Sequence, residues 1–216
     1  MTPYLHRTIP ERLAAVELAI TNALADPDLL GPLSEWSYDE TKLNAGTAIH
    51  DAALALHLDA DRERGEAVSA TAALNAAREA ANKVYMKHVK VARVALDDPG
   101  HLRDLGLNGR REDALLAWLD QARNFYRSAL AKPEVLAELT VFGMDETKLQ
   151  DGSDAIDAVY AARNVREDEA GEAQTATEHR DAALAVMDRW MGKFMRVARV
   201  AFEDDAQQLE RLGIQA

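Results

Sequence analysis

Glu66 and Glu172 occupy matching places in two copies of a Gly-x-Ala-x-x-Ala-Thr segment, read as Gly-Glu-Ala-x-x-Ala-Thr, and each copy ends on a threonine, Thr71 or Thr177. Two carboxylates on facing helices can hold a metal or a small ligand. They can equally accept hydrogen bonds from the facing threonines and fix the helix register. Pairing about the centre of this segment sets opposite each other positions whose numbers sum to about 242, which brings Glu66 near Thr177 and Glu172 near Thr71. The four residues are the candidate polar site, with register fixing as the leading reading and metal or ligand binding as the alternative. A di-iron carboxylate centre would need Glu-x-x-His on two helices. Pro3, Thr47, Leu54, Tyr85, Asp98 and Ala176 stand three residues before His6, His50, His57, His88, His101 and His179, so that motif does not occur. His50 and His57 lie on one stripe, as a half-exposed pair or a shared metal site.

Other chemistry is excluded by residue type. There is no cysteine, which removes thiol catalysis, disulfides and thiolate zinc sites. Neither Gly-x-Ser-x-Gly nor the glycine-rich phosphate and dinucleotide loops occur, so no catalytic residue and no cofactor is expected. The net charge of −12, spread as −5 over residues 1–108 and −7 over 109–216, argues against nucleic acid, whose binding requires a basic footprint. No apolar run approaches the roughly 18 residues of a membrane span, and Met1 to Arg12 lacks a signal-peptide core. A soluble, cytoplasmic protein is expected.

The elements that position these residues are helices. Alanine is a fifth of the 216 residues, and with Leu, Glu, Arg and Lys it dominates the chain. Sliding the sequence by 106 places Asp39-Glu40-Thr41-Lys42-Leu43 on Asp145-Glu146-Thr147-Lys148-Leu149, and Val91-Ala92-Arg93-Val94-Ala95 on Val197-Ala198-Arg199-Val200-Ala201. About a third of the positions in 13–98 recur in 119–204 without a gap, which reads as a duplication. The expectation is a single domain, 1–216, made of two repeats, 8–108 and 112–214.

Each repeat reads as a first helix (9–25 and 111–131), a short apolar element (28–36 and 134–142) and a main helix. Thr8 and Glu11 have capping-box spacing, and Asp39 and Asp145 are placed to accept first-turn N–H groups of the main helices. Proline-free stretches follow, 39–98 and 145–204, with small or apolar residues at 46, 53, 60, 67, 74, 81, 88 and 95 and a second series at 50, 57, 64, 71, 78, 85 and 92. One helix of about 60 residues per repeat, ~90 Å long, is the simplest reading. A hairpin near 59–65 or 165–171, giving a compact six-helix bundle, is the alternative. The predicted fold is all-α: an antiparallel bundle in which the two long helices form an alanine-rich coiled coil, with short helices at each end. That packing carries Arg199 towards Asp39 and Glu40, and Arg93 towards Asp145 and Glu146, predicting ion pairs that lock the ends.

Asp-Glu-x-Lys-Leu-x-x-Gly, the central Gly-x-Ala-x-x-Ala-Thr, Val-Ala-Arg-Val-Ala and a closing Leu-Gly-Leu (105–107) or Leu-Gly-Ile (212–214) together resemble a family of uncharacterised bacterial all-helical proteins with an internally duplicated unit. The likeness spans both copies and implies a bacterial helical protein without implying an activity. The expected function is that of a non-enzymatic structural or interaction protein acting through a homo-oligomer (a dimer) or a protein partner. The alternative is a metal- or ligand-binding bundle centred on Glu66 and Glu172.

Overall fold

The computed structural model describes residues 4–214, and every regular element among them is a helix. After a single 3-10 turn at Tyr4–His6 come α1 (Ile9–Ala25), α2 (Pro27–Glu35), α3 (Glu40–Ala95), α4 (Pro99–Asp104), α5 (Leu115–Ala131), α6 (Pro133–Val141), α7 (Glu146–Ala201) and α8 (Ala206–Arg211). A shift of 106 carries α1 onto α5, α2 onto α6 and α3 onto α7 without change of length. The main helices are single elements of 56 residues, so neither turns back at 59–65 or 165–171. None of the helices is long and apolar enough to cross a membrane.

Local chemistry sets the boundaries. Asp39 and Asp145 accept the backbone N–H of Lys42 and Lys148, each at 2.9 Å, and so cap the long helices. At α1, Glu11 accepts from both the backbone N–H (2.8 Å) and the hydroxyl (2.9 Å) of Thr8. Pro27 and Pro133 stand at the first position of α2 and α6, where a missing N–H does no harm. Helix α5 starts at Leu115, four residues later than expected. The chain before it is held outside a helix by Arg111, which donates to the Tyr85 hydroxyl (2.6 Å) and to the Gly106 carbonyl (2.8 Å).

The chain packs as two compact units, one of Met1–Arg64 with Glu172–Ala216 and one of Gly65–Gly171. The first unit holds α1, α2, the front of α3, the back of α7, and α8. Its core joins Leu13, Val16 and Ile20 of α1 to Leu29 and Leu33 of α2 and to Met187, Met191 and Phe194 of α7. Tyr38 meets the rings of Trp190 and Phe194 edge-on, at 6.0 and 5.3 Å. The second unit holds α5, α6, the front of α7, the back of α3, and α4. Tyr85 there meets Phe125 and Trp118 edge-on at 5.6 and 6.3 Å, inside a core completed by Leu119, Leu139, Leu149 and Ile156.

Within the first unit α3 and α7 run antiparallel, with Gly46 against Trp190 and Glu63 near Glu172. Those pairs sum to 236 and 235, whereas the central small-residue segment pointed to about 242. The shift is one turn of each helix. An indole seated on a glycine is a more exacting fit than alanine on alanine, which tolerates either register.

Both α2 and α6 end in a left-handed residue, Ser37 (φ 65°) and Gly143 (φ 75°), after which Tyr38 and Met144 donate back to Leu33 and Leu139. Serine at positive φ carries a strain of about 1–2 kcal/mol that glycine avoids, less glycine's larger loss of chain entropy. Ser37→Gly should therefore stabilise by about 0.5–1 kcal/mol, a rise of ~2 °C in melting temperature followed by circular dichroism. An unchanged or lower midpoint contradicts the strain argument.

Candidate functional site

The residues singled out from the sequence are divided between the two units. Glu172 (exposed) and Thr177 (half-buried) belong to the first, Glu66 and Thr71 (both exposed) to the second. The Thr71 hydroxyl donates to the Ala67 carbonyl one turn back in its own helix, at 2.9 Å. Asp39 and Asp145 act as helix caps, and Glu40 and Glu146 are the exposed first residues of α3 and α7. Arg93 donates to the Leu107 carbonyl at 3.2 Å, joining α3 to the segment after α4. Arg199 lies exposed in the last turn of α7.

In the first unit the carboxylate that meets Glu172 is Glu63 of α3. Each offers an oxygen within 4.8 Å of the other. Glu63 is only 8% exposed. One of its oxygens pairs with Nη2 of the neighbouring Arg62, a guanidinium that also reaches Asp59 at 2.8 Å. The other, Oε2, is buried without a hydrogen-bond partner. Glu172 is exposed, so the pair lies at the edge of solvent.

Heptad counting missed Glu63 for a geometric reason. The second apolar series runs through 50, 57, 85 and 92 as expected, but in the middle of α3 it buries Glu63 and Ala70 in place of Arg64 and Thr71. The same displacement by one residue occurs in α7, where Ala176 is buried and Thr177 only half-buried. Residues three and four after a buried or half-buried position share its helix face, and the middle of α3 uses the third (63 after 60, 70 after 67) where the ends use the fourth (57 after 53, 85 after 81). The available signal was the recurrence of Glu63 itself, since Glu-x-Gly-Glu-Ala stands at both 63–67 and 169–173.

The remaining polar groups of interest are engaged in packing. His50 is buried with Nδ1 3.0 Å from the Asp51 carboxylate, and His57 Nε2 lies 3.8 Å from Asp61. In the second unit His88 Nδ1 lies 3.1 Å from the hydroxyl of Tyr126. Burial, and after it the positive Lys148 and Lys87, pull the His88 imidazole below its ordinary range, which keeps it neutral at pH 7. Burial drives the Tyr126 phenol upward, and its hydroxyl stays protonated. On the first unit an open hollow is lined by His6, Ala14, Ala15, Leu18 and Gly213, and the carboxylate on its wall, Glu11, is committed to capping α1. Among the described residues, the first unit brings Glu63 and Glu172 together as carboxylates able to take a cation, while His50 of that unit and His88 of the second sit among packing contacts.

Neither a protein-family model, nor a curated protein, nor a solved structure matches this chain.

Proposed function

We propose that this chain is a non-enzymatic helical protein that works by association, with a second copy of itself or with a protein partner. One observation carries the reading: equivalent places in the two units expose large apolar side chains. Trp36 and Val200 of the first unit are 53% and 52% exposed, and Phe142 and Val94 of the second are 51% and 68% exposed. A shift of 106 carries Trp36 onto Phe142 and Val94 onto Val200. A single exposed valine is ordinary, but the same apolar positions left open twice support a surface kept for contact.

The sequence identities at that shift support descent from a duplicated unit. The alanine-rich pairing of α3 with α7 inside a unit reads as an antiparallel coiled coil. The acidic balance and the lack of cysteine suit a cytoplasmic setting. Sedimentation velocity over a hundredfold concentration range tests the association. A concentration-dependent dimer that the Trp36→Ser/Phe142→Ser double variant weakens at least tenfold is expected. If no dimer forms, capture of a defined partner must show the same sensitivity. A monomer throughout, with partner capture indifferent to both substitutions, overturns the reading.

A further inference from the structure

We propose that Glu63 and Glu172 form a binding site for a hydrated divalent cation of the Mg²⁺ or Mn²⁺ type, a property separate from association. Glu63 stands on the buried stripe of α3 between Ala60 and Ala70, which are uncharged. Arg62 serves one of its oxygens and leaves Oε2 buried with no donor. A buried acceptor without a partner costs about 1–3 kcal/mol, more when charged. Neither packing nor capping accounts for a carboxylate held there.

The second carboxylate is in reach. Oxygens of Glu63 and Glu172 within 4.8 Å of each other need only a small side-chain adjustment to share an ion at the ~2.1 Å bonds of Mg²⁺ or Mn²⁺. Mg²⁺-type ions keep several waters and are commonly held by one or two carboxylates. The exposed Glu172 side leaves room for those waters and a path of entry. Ca²⁺ is held by cages of several protein oxygens, whereas Mg²⁺ gives up its waters reluctantly, so a site of two carboxylates open to solvent suits the smaller ion better. The net charge of −12 adds a general attraction for cations, and a specific site must be distinguished from it.

The full chain, stripped with a chelator, is titrated with Mn²⁺ and followed by electron paramagnetic resonance of the free ion and by melting temperature. Saturable binding below about 1 mM is expected, with a rise in melting temperature and displacement by excess Mg²⁺. Glu63→Gln and Glu172→Gln should each weaken it at least tenfold, while Glu79→Gln, an exposed control on α3, leaves it unchanged. Glu172 is exposed, so its variant reports even if Glu63→Gln fails to fold. Absence of saturable binding overturns the proposal, as does binding that Glu172→Gln leaves intact or that Glu79→Gln weakens equally. Association of the chain is read separately, by sedimentation with and without Mn²⁺.

Discussion

Gly152→Ala should lower the melting temperature by roughly 10 °C, the reverse of what alanine usually does inside a helix. Alanine is favoured over glycine there by about 1 kcal/mol. At this position a Cβ would lie 2.5 Å from both Cζ and the hydroxyl oxygen of Tyr126, and Tyr126 has nowhere to go. Its ring is 1% exposed, packs edge-on against Phe125 at 5.0 Å and lies against His88. Moving it forfeits part of a burial worth about 2–3 kcal/mol and a hydrogen bond worth about 1, so a net cost near 3 kcal/mol is expected. Gly46→Ala meets the indole of Trp190 in the same way, but Trp190 is only half-buried and can swing outward, so about half the effect is expected. The two sites are the same place in the repeat filled from different helices. Tyr126 of α5 corresponds to Ile20, and Trp190 of α7 corresponds to Val84. In each unit one large ring and one aliphatic side chain occupy those positions, in opposite order. The double variant Gly152→Ala/Tyr126→Ile should therefore recover most of the loss, and thermal unfolding of the four proteins of that cycle measures the coupling. Additive effects would show that the ring on the glycine is not the cause.

How much of this was legible depends on the length scale. Helix identity, the long unbroken α3 and α7, and the caps at Asp39 and Asp145 follow from residue type and spacing, because each is decided within one or two turns. The glycines at 46 and 152 were visible as members of the apolar series, but not what sits on them. Trp190 is 144 residues from Gly46, and only the packed unit brings them together. Glu63 was lost because a helix face continues either three or four residues on, and counting by sevens from 57 lands on 64. Glutamate is among the residues least expected on a buried stripe, so its recurrence at Glu169 reads as surface charge. The grouping of the front of one long helix with the back of the other depends on which apolar faces meet, and local spacing contains no information about that.

The same correspondence between units gives the second large effect. Arg12 of α1 pairs with Asp188 of α7, and Tyr4 donates its hydroxyl to the same carboxylate at 2.8 Å. The side chains of Arg12 and Asp188 are only 16% and 17% exposed, and Arg12 Nε is buried without a partner. Asp188→Asn should lower stability by about 3 kcal/mol, because it leaves a guanidinium largely out of water with no counter-charge. The second unit solves the same contact without charge. A shift of 106 carries Arg12 onto Trp118, and Asn82 onto Asp188, and Trp118 Nε1 donates to Asn82 Oδ1 at 3.1 Å. Transplanting that neutral pair, as Arg12→Trp with Asp188→Asn, should restore most of the loss, since the amide oxygen can accept from both the indole and Tyr4. Removing one partner of a buried ion pair is costly, whereas replacing both by groups that fit is often neutral. Urea unfolding decides it, with the midpoint falling for Asp188→Asn, returning for the double variant and the m-value constant throughout. A single substitution that lowers the unfolding free energy by less than about 0.5 kcal/mol would mean that Arg12 reaches water on its own, as a surface pair does. A double variant no better than the single one would mean that the indole does not fit where the guanidinium lies, and that the two units have diverged in backbone as well as in side chains.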